Sequence, residues 1–315
     1  MATPEIIDIH MHIYRTREWG LRRKQTLHIW EYGDKPDMRV IPSSGSPQEA
    51  VDAIEEAGFS RAVVANLFAI PQAIDFAVFS LPDGISEGER ARAIEEIELS
   101  PGRLLKEFNT WACDLARANP RLIPFIAADP TALPGRAGAA NVKEMVESHG
   151  ARGIKLHPVL QEFEMGDPQM WPVYETCQEL GIPILAHSGP ARDRSPFGEP
   201  RAFAPVLEAF PGLTIIIAHL GGGAWEQALE IARAYPNAYF DCCEIIEWTG
   251  GTTAPTDEQL ARLIKDIGPQ RVMMGSDYPF YDLRGSVERV MDLPLLSQDE
   301  KEAMLGANAL RTLGL

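Results

Sequence analysis

Residues Ile182-Pro183-Ile184-Leu185-Ala186-His187 and Leu213-Thr214-Ile215-Ile216-Ile217-Ala218-His219 share one shape, a short apolar run that ends in a histidine. Neither run alternates between apolar and polar residues, which is the pattern of strands buried on both faces in a parallel sheet. Their separation of roughly thirty residues is that of one strand with its returning helix. Working outward, similar runs occur at Glu5 to Ile13, Arg61 to Phe68, Leu122 to Ala128, Ala151 to His157, Ala238 to Cys243 and Val272 to Ser276. Eight such runs predict an α/β protein, a single (β/α)8 TIM barrel spanning residues 1–315.

The intervening stretches read as helices. Ser46-Pro47-Gln48-Glu49 predicts a capped start, with Pro at the first helical position and Glu49 reaching back to Ser46. Val173, Tyr174, Cys177 and Leu180 recur at helical spacing before Gly181, as do Leu260, Leu263, Ile264 and Ile267 before Gly268. Ser297 with Glu300 opens a last helix. The first two connections are long, and residues 14–60 and 69–121 are expected to form helical or loop insertions at the face where the strands end. The first runs from Tyr14-Arg15-Thr16-Arg17-Glu18-Trp19 to His28-Ile29-Trp30 and concentrates cations and aromatics. It reads as a lid or specificity loop able to grip an anionic, aromatic small molecule.

Five of the seven histidines, with Lys155 and Asp277, fall at or near the C-terminal ends of these runs, which a parallel barrel gathers around one mouth. His10 and His12 lie two apart on a strand, so both point to one side. Together with His187 and Asp277 they make a set of three imidazoles and one carboxylate, suited to a divalent ion, zinc first and manganese second, with room for a water. His219 precedes Leu220-Gly221-Gly222-Gly223, a run that predicts close backbone approach to a ligand, and is assigned to proton transfer or polarisation of a substrate. Lys155 reads either as a cation for a substrate carboxylate or, if carboxylated, as a bridge to a second metal. His157 shares its face. His28 and His149 are expected to lie outside the chemistry.

The formal net charge of -16 argues against nucleic acid or an anionic membrane as partner. Four cysteines, at 113, 177, 242 and 243, form no secreted disulfide framework. Met1-Ala2-Thr3-Pro4-Glu5 carries no basic leader, and no apolar run approaches the ~20 residues of a membrane span. A soluble cytoplasmic protein acting on a small molecule is expected, as a weakly held homodimer.

The segments Ile7-Asp8-Ile9-His10-Met11-His12, Gly153-Ile154-Lys155-Leu156-His157-Pro158, Ala218-His219-Leu220-Gly221-Gly222, Gly275-Ser276-Asp277-Tyr278-Pro279 and Gly306-Ala307-Asn308-Ala309-Leu310 together resemble the amidohydrolase superfamily. The resemblance is nearest to the branch that includes aminocarboxymuconate semialdehyde decarboxylase and γ-resorcylate decarboxylase. It implies a distorted barrel, metal ligands at His10, His12, His187 and Asp277, and a strand-six histidine at His219. Lys155 departs from that branch: the Lys-Leu-His-Pro run looks like the fourth strand of dihydroorotase-type hydrolases. On that ground the expected activity is metal-dependent hydrolysis of a small anionic carboxylate, lactone or amide by a metal-activated water. Asp277, His219 and Lys155 are then catalytic, and His157, Arg15, Arg17 and Arg192 bind substrate. The alternative is non-oxidative decarboxylation of an aromatic or unsaturated acid at the same centre.

Overall fold

A computed structural model describes residues 5–32, 41–190, 196–251 and 254–315. Eight strands form one parallel sheet in sequence order. They are β1 (Ile7–Met11), β2 (Arg61–Val64), β3 (Leu122–Ala127), β4 (Gly153–Leu156), β5 (Ile184–Ala186), β6 (Ile215–Ile217), β7 (Ala238–Asp241) and β8 (Val272–Met273). The backbone beyond β8 closes the sheet onto β1: Ile9 N–H donates to Met274 O at 3.2 Å, Asp277 N–H to His10 O at 2.8 Å and His12 N–H to Tyr278 O at 2.6 Å. The fold is the (β/α)8 barrel that the repeated apolar runs predict. Each strand is shorter than its apolar run, because the residues past the strand end turn out of the ladder to face the mouth.

Register decides which side chains look inward. Lys155 pairs with Leu185, and Leu185 with Ile216. Leu185 and Ile216 pack inside the barrel with Ile123 and Met273, whereas their neighbours Ile154, Leu156, Ile184, Ala186, Ile215 and Ile217 join the layer beneath the helices. Two-residue alternation therefore turns Lys155 to the interior. At the far end the same interior is filled by Ala309 and Leu313, from the last helix (Asn308–Leu313).

Five helices interrupt the first two βα units: α1 (Arg17–Tyr32) and α2 (Pro47–Glu56) before β2, and α3 (Ile70–Phe79), α4 (Glu87–Glu98) and α5 (Pro101–Ala118) before β3. Pro47 does open α2, but the expected capping box is not made. Ser46 offers no side-chain cap, and Glu49 instead accepts from Ser44, both through N–H at 2.9 Å and through its hydroxyl, while pairing with Arg17. Glu49 thus ties down the approach to α2 in place of the helix end. The Ser297–Glu300 box forms as expected. No helix among the described residues is long and apolar enough to cross a membrane.

Candidate active site

The site begins with Asp8, which lies buried in the seam between β1 and β8. Its Oδ1 accepts the N–H of His10 at 2.8 Å and of Ser276 at 3.1 Å, and Oδ2 accepts from the Ser276 hydroxyl. Burial pushes this carboxyl up to about 7 against the pull of those hydrogen bonds. Asp8 is therefore a staple that fixes the strand carrying His10 against the segment carrying Asp277.

His10 Nδ1 donates to Asp241 Oδ2 at 2.8 Å, and that bond leaves Nε2 as the lone-pair nitrogen facing the mouth. Lys155 Nζ donates to this Nε2 at 2.6 Å. His12 Nε2 lies 3.0 Å, and His10 Nε2 4.0 Å, from Asp277 Oδ1. Tetrahedral ligands at about 2.1 Å from an ion sit about 3.4 Å from one another, so this triplet has the spacing of a metal site. A buried set of two imidazoles and a carboxylate, one imidazole held by a carboxylate behind it, fits a divalent ion of the zinc or manganese type. Gly275 permits the packing: a Cβ there would lie 2.7 Å from that of His10 and 2.9 Å from that of Cys243.

His187 lines the same small cavity, of about 10 Å³, together with Lys155, His157 and His219. Its ring stacks on His157 at 3.8 Å between centroids, and its Nδ1 meets His219 Nε2 at 3.1 Å. It stands beside the triplet of His10, His12 and Asp277 and is not one of its mutually close donors. His219 and Asp277 both have left-handed backbone, with φ of 58° and 57°, a conformation that is uncommon outside glycine and held here by the surrounding structure. At His219 that structure is Asp241, whose Oδ1 accepts the His219 N–H at 2.6 Å.

The electrostatics follow from crowding imidazoles where water is scarce. Burial, reinforced by Lys155, pulls His10 and His157 well below the ordinary imidazole range. Burial and the neighbouring histidines do the same to His187, and burial outweighs nearby carboxylates at His219. Neutral imidazoles keep their lone pairs for a ligand role. Burial alone would raise Asp277, but the hydrogen bond from His12 holds it below the usual carboxylate range.

Other residues named from the sequence lie elsewhere. The Arg15 guanidinium sits over the rings of Phe76 and Trp111, at 5.1 and 5.3 Å, and donates to Glu107 O at 3.0 Å. Arg17 pairs with Glu49 and is largely exposed. Arg192 lies outside the described residues, as does the side chain of His28. The glycines after His219 crowd protein: the Cβ positions of Gly221, Gly222 and Gly223 face Pro200, the Ser188 carbonyl and Pro190. They admit the loop after β5, which corrects the expectation that they make room for a ligand.

Sequence reasoning missed Asp241, Cys243 and Glu244. Cys243 Sγ lies 3.0 Å from both His10 Nδ1 and His219 Nδ1, and Glu244 Oε2 lies 3.4 Å from His219 Nδ1. Asp241 lies inside the seventh apolar run as the last residue of β7, and the rule that singled out the other strand ends applies to it equally.

The sequence matches the family described as Amidohydrolase over residues 7–315. The chain belongs to this family. A curated relative, 2-amino-3-carboxymuconate-6-semialdehyde decarboxylase of Dictyostelium discoideum, is 26% identical over 253 residues, covering 66% of this chain and 70% of the relative. Among solved structures, an uncharacterised TIM-barrel protein of Bordetella bronchiseptica superposes with a TM-score of 0.72 at 20% identity, covering 98% of each chain. A dihydroxybenzoic acid decarboxylase of a Polaromonas species, with bound manganese and the inhibitor 2-nitroresorcinol, gives 0.66 at 17% identity over 99% of this chain and 98% of its own. These matches overturn the expectation of hydrolysis, since the relatives of named activity remove a carboxyl group. The hydrolase reading leaned on Lys155, but a bridging role for that lysine depends on carboxylation, which no residue pattern encodes.

Proposed function

We propose that this amidohydrolase-family enzyme is a metal-dependent, non-oxidative decarboxylase of an aromatic or unsaturated carboxylic acid. The observation that carries the reading is the convergence of His10 Nε2, His12 Nε2 and Asp277 Oδ1 beside Lys155 and His219 at one mouth. The curated decarboxylase relative supports the reaction type. A divalent ion, when bound, would supply a fixed positive charge for the acid's carboxylate or an adjacent hydroxyl. His10, His12 and Asp277 would hold it, with His187 beside them as the proposed fourth ligand. Manganese is favoured over zinc by its presence in the Polaromonas neighbour.

Within this frame the chain's own groups divide the work. The Lys155 ammonium, buried and within reach of the mouth, orients the substrate carboxylate by charge. His157, stacked flat on His187, offers the substrate a wall. His219 and Asp277 relay a proton taken up from water to the carbon that bears the carboxylate. The carbon–carbon bond then breaks, its electron pair returns to the conjugated system and carbon dioxide departs, so that no oxidant or reductant is needed.

The test is release of carbon dioxide from a panel of hydroxybenzoic acids by manganese-loaded protein. Release that stops on metal removal and returns on reloading is expected. Undiminished release by verified metal-free protein sinks the reading.

A further inference from the structure

The catalytic cavity, at about 10 Å³, is the size of a single water, whereas a second cavity beside it measures about 410 Å³. The larger one lies among α1, α3, α4 and α5 and falls within the ~300–1,000 Å³ of small-molecule sites. Its wall is mostly apolar and aromatic, with Trp19, Phe68, Phe76, Phe108 and Trp111. Leu67 lines both cavities and so forms the partition between them. The two are also joined through the backbone, because Asn66 Oδ1 accepts at 2.7 Å the N–H of Ile13, the residue after His12.

Two details mark this space as more than a packing gap. Asn66 is 4% exposed and its orientation is fixed by Ile13, yet its Nδ2 donor has no hydrogen-bond partner among the described residues. Gln72 Oε1, on the same wall, is likewise buried and without one. Buried polar atoms are almost always paired, so an orphan donor and an orphan acceptor on a cavity wall point to a ligand that pairs them. In addition, α3 reads Ile-Pro-Gln-Ala-Ile-Asp-Phe-Ala-Val-Phe, yet none of its ten residues is fully buried. An apolar helix left half-covered has a face that a ligand would complete.

We propose that this cavity is the specificity subsite of the active centre: it takes an apolar aryl substituent bearing a hydrogen-bonding oxygen, on the acid whose carboxylate reacts beside His10, His12 and Asp277. The inference rests on the decarboxylase reading and extends it to the class of acid. Leu67 sets the passage between the two halves of the substrate, and Asn66 and Gln72 meet the oxygen. Arg15, held over Phe76 and Trp111, gives the wall a cation that favours an electron-rich ring.

The test compares 2-hydroxybenzoate with its 3-, 4-, 5- and 6-phenyl derivatives, by calorimetric titration of manganese-loaded protein and by carbon dioxide release. At least one phenyl isomer is expected to bind ~10-fold or more tightly than 2-hydroxybenzoate, through burial of the second ring. Ala73→Phe, which fills the cavity from α3, is expected to abolish that gain and leave the Kd of 2-hydroxybenzoate within about twofold. Ala77→Phe, one turn further along α3, serves if the first variant does not fold. Gain that survives either filled cavity, or absence of gain for every isomer, overturns the assignment. Binding with the expected pattern but without carbon dioxide release contradicts the reaction and leaves the subsite standing. Release with a flat Kd pattern does the reverse, and no binding by any of the five acids overturns both.

Discussion

The strand ends and the insertions after β1 and β2 face the same mouth but are built in opposite ways. At the strand ends most polar atoms are committed, His12 Nδ1 excepted: Asp8 holds His10 and Ser276, Asp241 holds His10 and the His219 backbone, and Asp277 meets His12. In the insertions, apolar helices surround open space, and Gln72 keeps an atom unpaired on its wall, as does Asn66 just past β2. A fully satisfied polar network is rigid and specifies one geometry. A loosely filled apolar space accepts shape. The comparison teaches that reaction type resides in the strand ends, where donors are fixed, while choice of substrate resides in the helices added over them.

The largest expected effects break the first region. His187→Ala is expected to lose bound metal, with activity falling ~10³-fold or more, read by elemental analysis and turnover together. His219→Asn is expected to keep the metal and still lose at least ~10²-fold, as for a proton-transfer group. Metal loss in the second variant would move His219 into the ligand set. Asp241→Asn acts behind His10 and is expected to weaken metal binding ~10–100-fold, measured by chelator competition. Unchanged affinity would mean that Asp241 only anchors the His219 backbone.

The smallest effect is on stability. His10, His157, His187 and His219 have folded pKa values below those of the unfolded chain. Below pH ~6.5 the unfolded state therefore binds protons that the folded state refuses, and stability falls as pH falls. Asp8 acts in the opposite sense: its folded value of about 7 makes its contribution greatest at low pH and lost as pH rises through 7. Four groups oppose one, so the Tm of metal-free protein is expected to drop by ~5–10 °C between pH 7.5 and 5.5. A flat profile in calorimetry would contradict the picture of crowded, neutral imidazoles.

How legible each region was follows the same division. Strands β1 to β8 and the placement of His10, His12, Lys155, His187, His219 and Asp277 were readable, because burial on both faces imposes a continuous apolar run and the polar residue ending it has one place to go. Asp241 carried the same signal. Left-handed backbone at His219 and Asp277 was not readable, since nothing but tertiary contact holds a non-glycine residue there. The glycines after His219 showed that backbone comes close, but not that the approaching group is Pro200 or Ser188. Among the insertion helices, the start of α2 at Pro47 was readable, but the capping box read there is not made. The space among them depends on how α1 and α3 to α5 pack together, which no local pattern specifies. The hydrolase expectation failed for a related reason: the chemistry of Lys155 depends on what surrounds and modifies it, not on its type.

The most direct test of the central claim follows the proton. Manganese-loaded protein is incubated in heavy water with the acid from the hydroxybenzoate panel that releases carbon dioxide, and the product is analysed by mass spectrometry and NMR. The account predicts one deuterium on the carbon that lost its carboxyl group, with one carbon dioxide released per product. A product that keeps its carboxyl group, or one without deuterium at that carbon, would contradict it.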